Sequence, residues 1–216
     1  KFMKTLSLKR NFGEIKKASA RDFIKKNKML VFLAMFLLCG ICFGAVLIKL
    51  ADENAIKFMN VLFLSDFKER LNKPLLEAFI TSISSTFVFV LISFFMGLSM
   101  WGFILAPIVP FVRGVCIGLC EGYLYSAYGL KGVCFHALIF LPGIFISSIA
   151  ILLMTREAMK ISNCFSSAML TNSNASATST SIKLYVIRSS CITIIILISS
   201  VIDLISSLMF SKFFSF

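Results

Sequence analysis

The chain has 216 residues, of which 58% are hydrophobic and 15% charged, with a formal net charge of +12 and a mean hydropathy of +0.93. A soluble domain of this size has too much surface to cover with so little charge, against the roughly 25% usual in globular proteins. The composition therefore excludes an ordinary water-soluble enzyme and reads as an integral membrane protein.

In chain order, the first segment is a basic one. Ten of the twenty-two Lys and Arg residues precede Met29, against two acidic residues, Glu14 and Asp22, a local net charge of +8. Nucleic-acid binding is the competing reading, but basic residues gather at the cytoplasmic flank of a first membrane span and are drawn to anionic lipid heads, so residues 1–28 read as a cytoplasmic segment and no nucleic-acid partner is expected. The apolar run at 29–49 is long enough to cross a bilayer and too long for a signal-peptide core, which makes it a retained anchor. Within it Gly40 and Gly44 form a small-residue face.

Residues 51–77 turn polar, with Asp52, Glu53, Asp66, Glu69 and Glu77 against Lys57, Lys68, Arg70 and Lys73, and read as an extracellular loop. Inside it Ala55, Ile56, Met59, Leu62 and Phe63 recur at helical spacing, as an amphipathic helix on the outer membrane surface requires. Asn72-Lys73-Pro74 reads as the cap and first turn of the next span.

The second span is expected at 79–105, with Ser82, Thr86, Ser93 and Gly97 on one face and Gly102 near its end. Pro107 and Pro110 then mark a tight return. The third span, 111–128, contains VRGVCIGLCEGYLYSAYG, in which Gly114, Gly118 and Gly122 fall four apart on one face beside Arg113 and Glu121. Arg113, just past the prolines, is expected to snorkel to the cytoplasmic interface. Glu121, eight residues on and so about 12 Å deeper, is expected neutral or paired near the bilayer centre, with Arg113 and His136 as candidate partners.

A turn at 129–132 leads to a fourth span at 133–154, which Pro142 is expected to kink. Residues 155–183, ending in TNSNASATSTS, read as a flexible cytoplasmic loop. The fifth span, 186–210, carries Thr193, Ser200, Asp203 and Ser207 on one face. Small and polar stripes of this kind let membrane helices approach one another and trade contact, since lipid supplies no hydrophobic drive between them. The seven cysteines are scattered, six of them in or beside apolar runs, and form no disulfide framework; Cys39 and Cys42 read as small packing residues.

The order of CGICFGAVL, GLSMWG and VRGVCIGLCEGYLYSAYGLKG resembles the stage II sporulation protein M family over roughly residues 29–160. Gly97 and Gly102 match a Gly-x-x-x-x-Gly segment closing the second span, Arg113-Gly114 matches a basic-Gly pair opening a glycine-spaced helix, and Pro142 is similar to a proline late in the fourth-span region. The resemblance implies a multi-pass cell-membrane protein without cofactor or catalytic activity of its own. It implies a scaffold for two peptidoglycan hydrolases, an amidase and a lytic transglycosylase, during engulfment of the forespore.

The sequence has one histidine and no HExxH, P-loop or Gly-x-Ser-x-Gly motif. The competing reading is a transport-related membrane subunit, because a buried glutamate, an arginine and a proline-broken helix also suit a substrate path. An intramembrane hydrolase using Glu121 and Asp203 stands third. The expectation is thus an all-α bundle of five spans with the N-terminus inside and the C-terminus outside, and with self-association left open. Hydrolase contacts are expected at Ile56, Met59, Asn60 and Phe63.

Overall fold

A computed structural model describes residues 27–50, 75–139, 141–171 and 175–210, and every regular element among them is helical. The elements are α1 (Lys28–Lys49), α2 (Leu75–Leu98), the single turn α3 (Gly102–Leu105), α4 (Ile108–Ile139), α5 (Leu141–Thr171) and α6 (Ala175–Phe210). Helices suit lipid because each satisfies its own backbone hydrogen bonds, which nothing in a hydrocarbon core would otherwise do. Three helical stretches are long and apolar enough to cross a membrane, Lys28–Lys49, Gly102–Ser126 and Thr180–Asp203, and a shorter apolar helix covers Ile83–Leu98. The protein is therefore a membrane protein. Large side chains such as Phe95, Phe145, Ile104 and Met35 stand exposed on its outside, as lipid-facing residues do.

Two packing units make the interior. In the first, α1 buries Leu33, Leu37, Gly40, Gly44 and Ile48 along one seam and lies against α4, the most extensive helix pairing in the molecule. Gly40 meets Phe111, Gly114 and Val115, and Gly44 meets Val115 and Leu119, so the two helices run parallel. In the second, α5 runs parallel to α2, since Ser93 bonds Thr155 and Gly97 abuts Ala158. It runs antiparallel to α6, with Cys164 beside Ser181 and Glu157 beside Arg188. Val90, Val109, Ala150, Ile151, Met154, Tyr185 and Ile196 form the core shared by α2, α4, α5 and α6.

The chain departs from its sequence reading in two places. The second span does not continue to residue 105: α2 stops at Leu98 and a turn intervenes, held by Ser99 N to Met96 O (3.1 Å) and Gly102 N to Ser99 O (3.1 Å). Gly102 is needed there, because a Cβ would strike the Met96 carbonyl. The glycine-repeat helix is interrupted where the sequence reading placed its end: Gly129, the first residue of the expected turn, has φ of 60° and ψ of −143°, values open to glycine and costly for other residues, and a second helical segment of α4 follows to Ile139.

Pro142 is the second residue of the described stretch of α5, and residue 140, on its N-terminal side where a kink is expected, lies outside the described residues. Finally, the expected loop at 155–183 is a helical hairpin over its described residues, with 155–171 completing α5 and 175–183 opening α6. Polarity there is one-sided: Thr155, Ala158, Met159, Ile161 and Ser162 are all buried. At 1.5 Å per residue α5 and α6 measure about 46 and 54 Å, longer than the roughly 30 Å hydrocarbon core of a bilayer.

The basic segment at 1–26 and the loop stretch holding Ile56, Met59, Asn60 and Phe63 lie outside the described residues.

Candidate functional site

The glycine seam between α1 and α4 is built reciprocally. A Cβ on Gly40 would stand 3.0 Å from Val115 N and collide with the Phe111 carbonyl oxygen; one on Gly44 would collide with the Val115 carbonyl. From the other side, a Cβ on Gly114 would collide with the Leu37 carbonyl and one on Gly118 with that of Ile41, while a Cβ on Gly122 would stand 3.3 Å from both Ala45 Cα and Ile48 Cβ, a looser fit. Each of the four tight glycines thus points a Cα hydrogen at a carbonyl oxygen of the other helix, a contact that contributes about 0.5–1 kcal/mol. Backbone approach of this kind is open only to glycine.

Past the seam, α4 turns Arg113 inward. It does not snorkel to an interface: its guanidinium lies over the Phe89 ring of α2, 5.4 Å from the centroid, and NH2 donates to Ser147 Oγ on α5 at 3.4 Å. The Asp203 carboxylate of α6 acts on the same guanidinium electrostatically. The Nε of Arg113 is buried without a hydrogen-bond partner among the described residues. Asp203 in turn lies against Gly143, leaving no room for a Cβ there. One turn earlier, Ser199 donates to the Gly143 carbonyl at 2.7 Å.

Four helices therefore converge on one polar centre. Arg113 and Asp203 are close enough to attract each other electrostatically, and opposite charges so placed are the usual way for buried charges to persist in hydrocarbon. Glu121 stands apart from this centre, half-buried about 12 Å farther along α4 by helical rise, and it too is engaged by a neighbour. The side chain of His136 is outside the described set.

A second polar belt ties α5 to α2 and α3. Ser162 accepts from Phe103 N (2.8 Å) and faces the carbonyls of Ser99 (2.8 Å) and Met100 (3.2 Å), so one hydroxyl satisfies backbone groups freed where α2 breaks. Gly97 makes space for the Tyr185 ring, which stacks on Phe94 at 5.2 Å and donates its hydroxyl to the Phe94 carbonyl at 3.0 Å. At the same level Glu157 accepts from Lys160 and Arg188, both at 2.6 Å. Burial alone pushes the Glu157 carboxyl up, but the bonds and charges of the two cations outweigh it and hold it below the usual glutamate value.

Of the residues singled out in the sequence, the structure brings Gly40 and Gly44 together with Gly114, Gly118 and Gly122, and Arg113 with Asp203; Gly97 and Gly102 sit along α5. Ser147, Ser162, Ser199, Tyr185 and the Glu157–Arg188 pair escaped the sequence reading. A signal existed for some of them, since Ser147, Thr155 and Ser162 recur at spacings of eight and seven on α5, which marks one helix face.

Comparison with known proteins gives one finding. The family model described as stage II sporulation protein M matches residues 31–204. No curated protein and no solved structure matches the chain.

Proposed function

The chain belongs to the stage II sporulation protein M family, a sporulation-related membrane protein family, and from that premise we propose that it is a non-enzymatic scaffold that anchors peptidoglycan hydrolases, an amidase and a lytic transglycosylase, during forespore engulfment. In this reading the chain crosses the membrane five times, with the basic N-terminus in the cytoplasm and the loop at 51–77 facing the wall. The amphipathic stretch around Ile56, Met59, Asn60 and Phe63 offers the hydrolases a docking surface.

The observation that carries the reading is how the interior uses its polar groups. Ser93 with Thr155, Ser162 with the turn after α2, Ser199 with Gly143 and Arg113 with Ser147 each join one helix to another. Such contacts favour a fixed platform over a path along which polar groups change partners.

The test is co-purification of tagged protein from sporulating cells after mild crosslinking. Enrichment of an amidase and a transglycosylase over an unrelated membrane protein supports the scaffold. Enrichment of an ATPase subunit without either hydrolase would replace it with the transport reading.

A further inference from the structure

Where α5 and α6 run past the end of α2, Glu157 and Lys160 face Ser181, Leu184, Tyr185 and Arg188 around an open recess of about 150 Å³. Glu157 bonds both cations at 2.6 Å, so one carboxylate set against two cations leaves the recess a formal charge of +1. A guanidinium carries five N–H donors and an ammonium three. A bond to Glu157 therefore leaves each cation able to hold another acceptor. Both remain accessible, with Arg188 54% and Lys160 42% exposed, whereas Glu157 is only 13% exposed. The carboxylate thus sits behind the two cations and fixes their separation.

The depth of the recess follows from its neighbours. The 24 residues of α2 measure about 36 Å at 1.5 Å per residue, which exceeds the roughly 30 Å hydrocarbon core, so Leu98 ends near an interface. Trp101, just beyond it and 68% exposed, is the residue type that settles at headgroup level. Gly97 packs against Ala158 and Tyr185, which puts Glu157 and Arg188 at that same level. Leu184, 47% exposed, lines the recess, and Ile187, 51% exposed, follows it by three residues on α6, which puts it near the same helix face.

We propose that this recess is a phosphate-binding site at the membrane interface, in which Arg188 and Lys160 hold the phosphodiester of an anionic phospholipid while Leu184 and Ile187 take the start of its acyl chains. Basic pockets between membrane helices are built for this chemistry. An anionic headgroup matches the +1 recess, whereas a zwitterionic one brings its own ammonium against Arg188 and Lys160. The site does not depend on which proteins the chain anchors.

The test uses the full chain purified in a neutral detergent, with thermal unfolding followed as dioctanoyl phosphatidylglycerol, dioctanoyl phosphatidylcholine or inorganic phosphate is added. Phosphatidylglycerol should raise the midpoint saturably, and K160Q/R188Q should raise its half-saturating concentration about tenfold or more, two charge-assisted contacts being lost. K28Q, which removes a charge from an exposed position on α1, should respond as wild type does. Both changes in the double variant fall on exposed cations, so its midpoint without lipid should stay near that of wild type.

Saturation by inorganic phosphate alone, lost in the double variant, would keep the phosphate site but assign it to a soluble phosphate. An equal phosphatidylglycerol response in wild type and K160Q/R188Q, or an equal response to phosphatidylcholine, overturns the proposal. A double variant unfolded without lipid also overturns it, because the two cations would then hold the fold together rather than a ligand.

Discussion

A Cβ built on Gly40 would stand 3.1 Å from the Cα of Gly114, so α1 and α4 meet backbone to backbone at that point. The consequence is a graded tolerance to substitution along the seam. Gly118→Ala places a methyl against the Ile41 carbonyl, with Ala45 N at 3.0 Å, and since backbone cannot swing aside the helices must separate, at a cost of about 1–3 kcal/mol. Gly122→Ala meets nothing nearer than 3.3 Å and should be felt much less. Gly118→Leu should lower the protein level in membranes outright. Size-exclusion of detergent extracts and a thermal midpoint measure all three, and equal behaviour of Gly118→Ala and Gly122→Ala would contradict the seam.

Gly129 offers the converse case. Nothing lies within 4 Å of its Cβ position, yet its φ is +60°. Gly129→Ala should destabilise through the backbone alone, by about 1–3 kcal/mol. A substitution with no measurable effect would mean that the bend after residue 128 relaxes to ordinary helix.

These glycines also show what could be read in advance. Spacing of four along α4 and along α1 is a one-dimensional signal, because it records which face of a single helix is small, and the structure sets those two faces against each other. The extent of the α5–α6 hairpin was not readable for a matching reason. Its buried Thr155 and Ser162 count as polar in any hydropathy average, and only the groups they meet, Ser93 and the turn after α2, reveal that they face inward. Arg113 was visible as a charge in an apolar run. Its direction was not, since snorkelling outward and turning toward Ser147 and Asp203 use the same residue at the same depth.

The electrostatic attraction between Arg113 and Asp203 predicts non-additivity. Arg113→Met should destabilise, because it removes a cation that attracts the Asp203 carboxylate beside Gly143. Asp203→Asn should be comparably harmful from the other side. The double variant removes both charges and should be more stable than the sum of the single effects allows, by about 1–3 kcal/mol in a double-mutant cycle. Additive single effects would show that the two groups do not share one charge centre.

The Glu157 ion pairs give the hairpin a pH dependence of known sign. The folded pKa is lowered from the model-compound value of 4.5, so the stabilisation is fully present above that value and is lost as pH falls through the lower folded one. Lys160 and Arg188 are well exposed, and solvent screening keeps the effect under about 1 kcal/mol. The hydrogen-exchange rate of hairpin amides, corrected for the intrinsic pH dependence and compared at fixed ionic strength at pH 6 and pH 3.5, should increase in acid for wild type. In Glu157→Gln it should already be raised at pH 6 and change little, and an identical acid response in the two proteins would assign the dependence elsewhere.

Topology can be tested separately for count and for orientation. The seven cysteines are all free, so single-cysteine reporters require a cysteine-free background. Leu130, 77% exposed beside the Gly129 bend, should face outward with the loop that contains Asn60. Lys183, exposed near the start of α6, is separated from Leu130 by the length of α5 and should face the cytoplasm. Asn60→Cys and Leu130→Cys are therefore expected to react with an impermeant maleimide in intact cells, and Lys183→Cys only after permeabilisation. A fully inverted pattern would turn the bundle over and remove the loop at 51–77 from the wall, ending its role as a hydrolase contact. Labelling of Leu130→Cys and Lys183→Cys from the same side would show that α5 does not cross, which lowers the span count and places both ends of the hairpin on one face of the membrane.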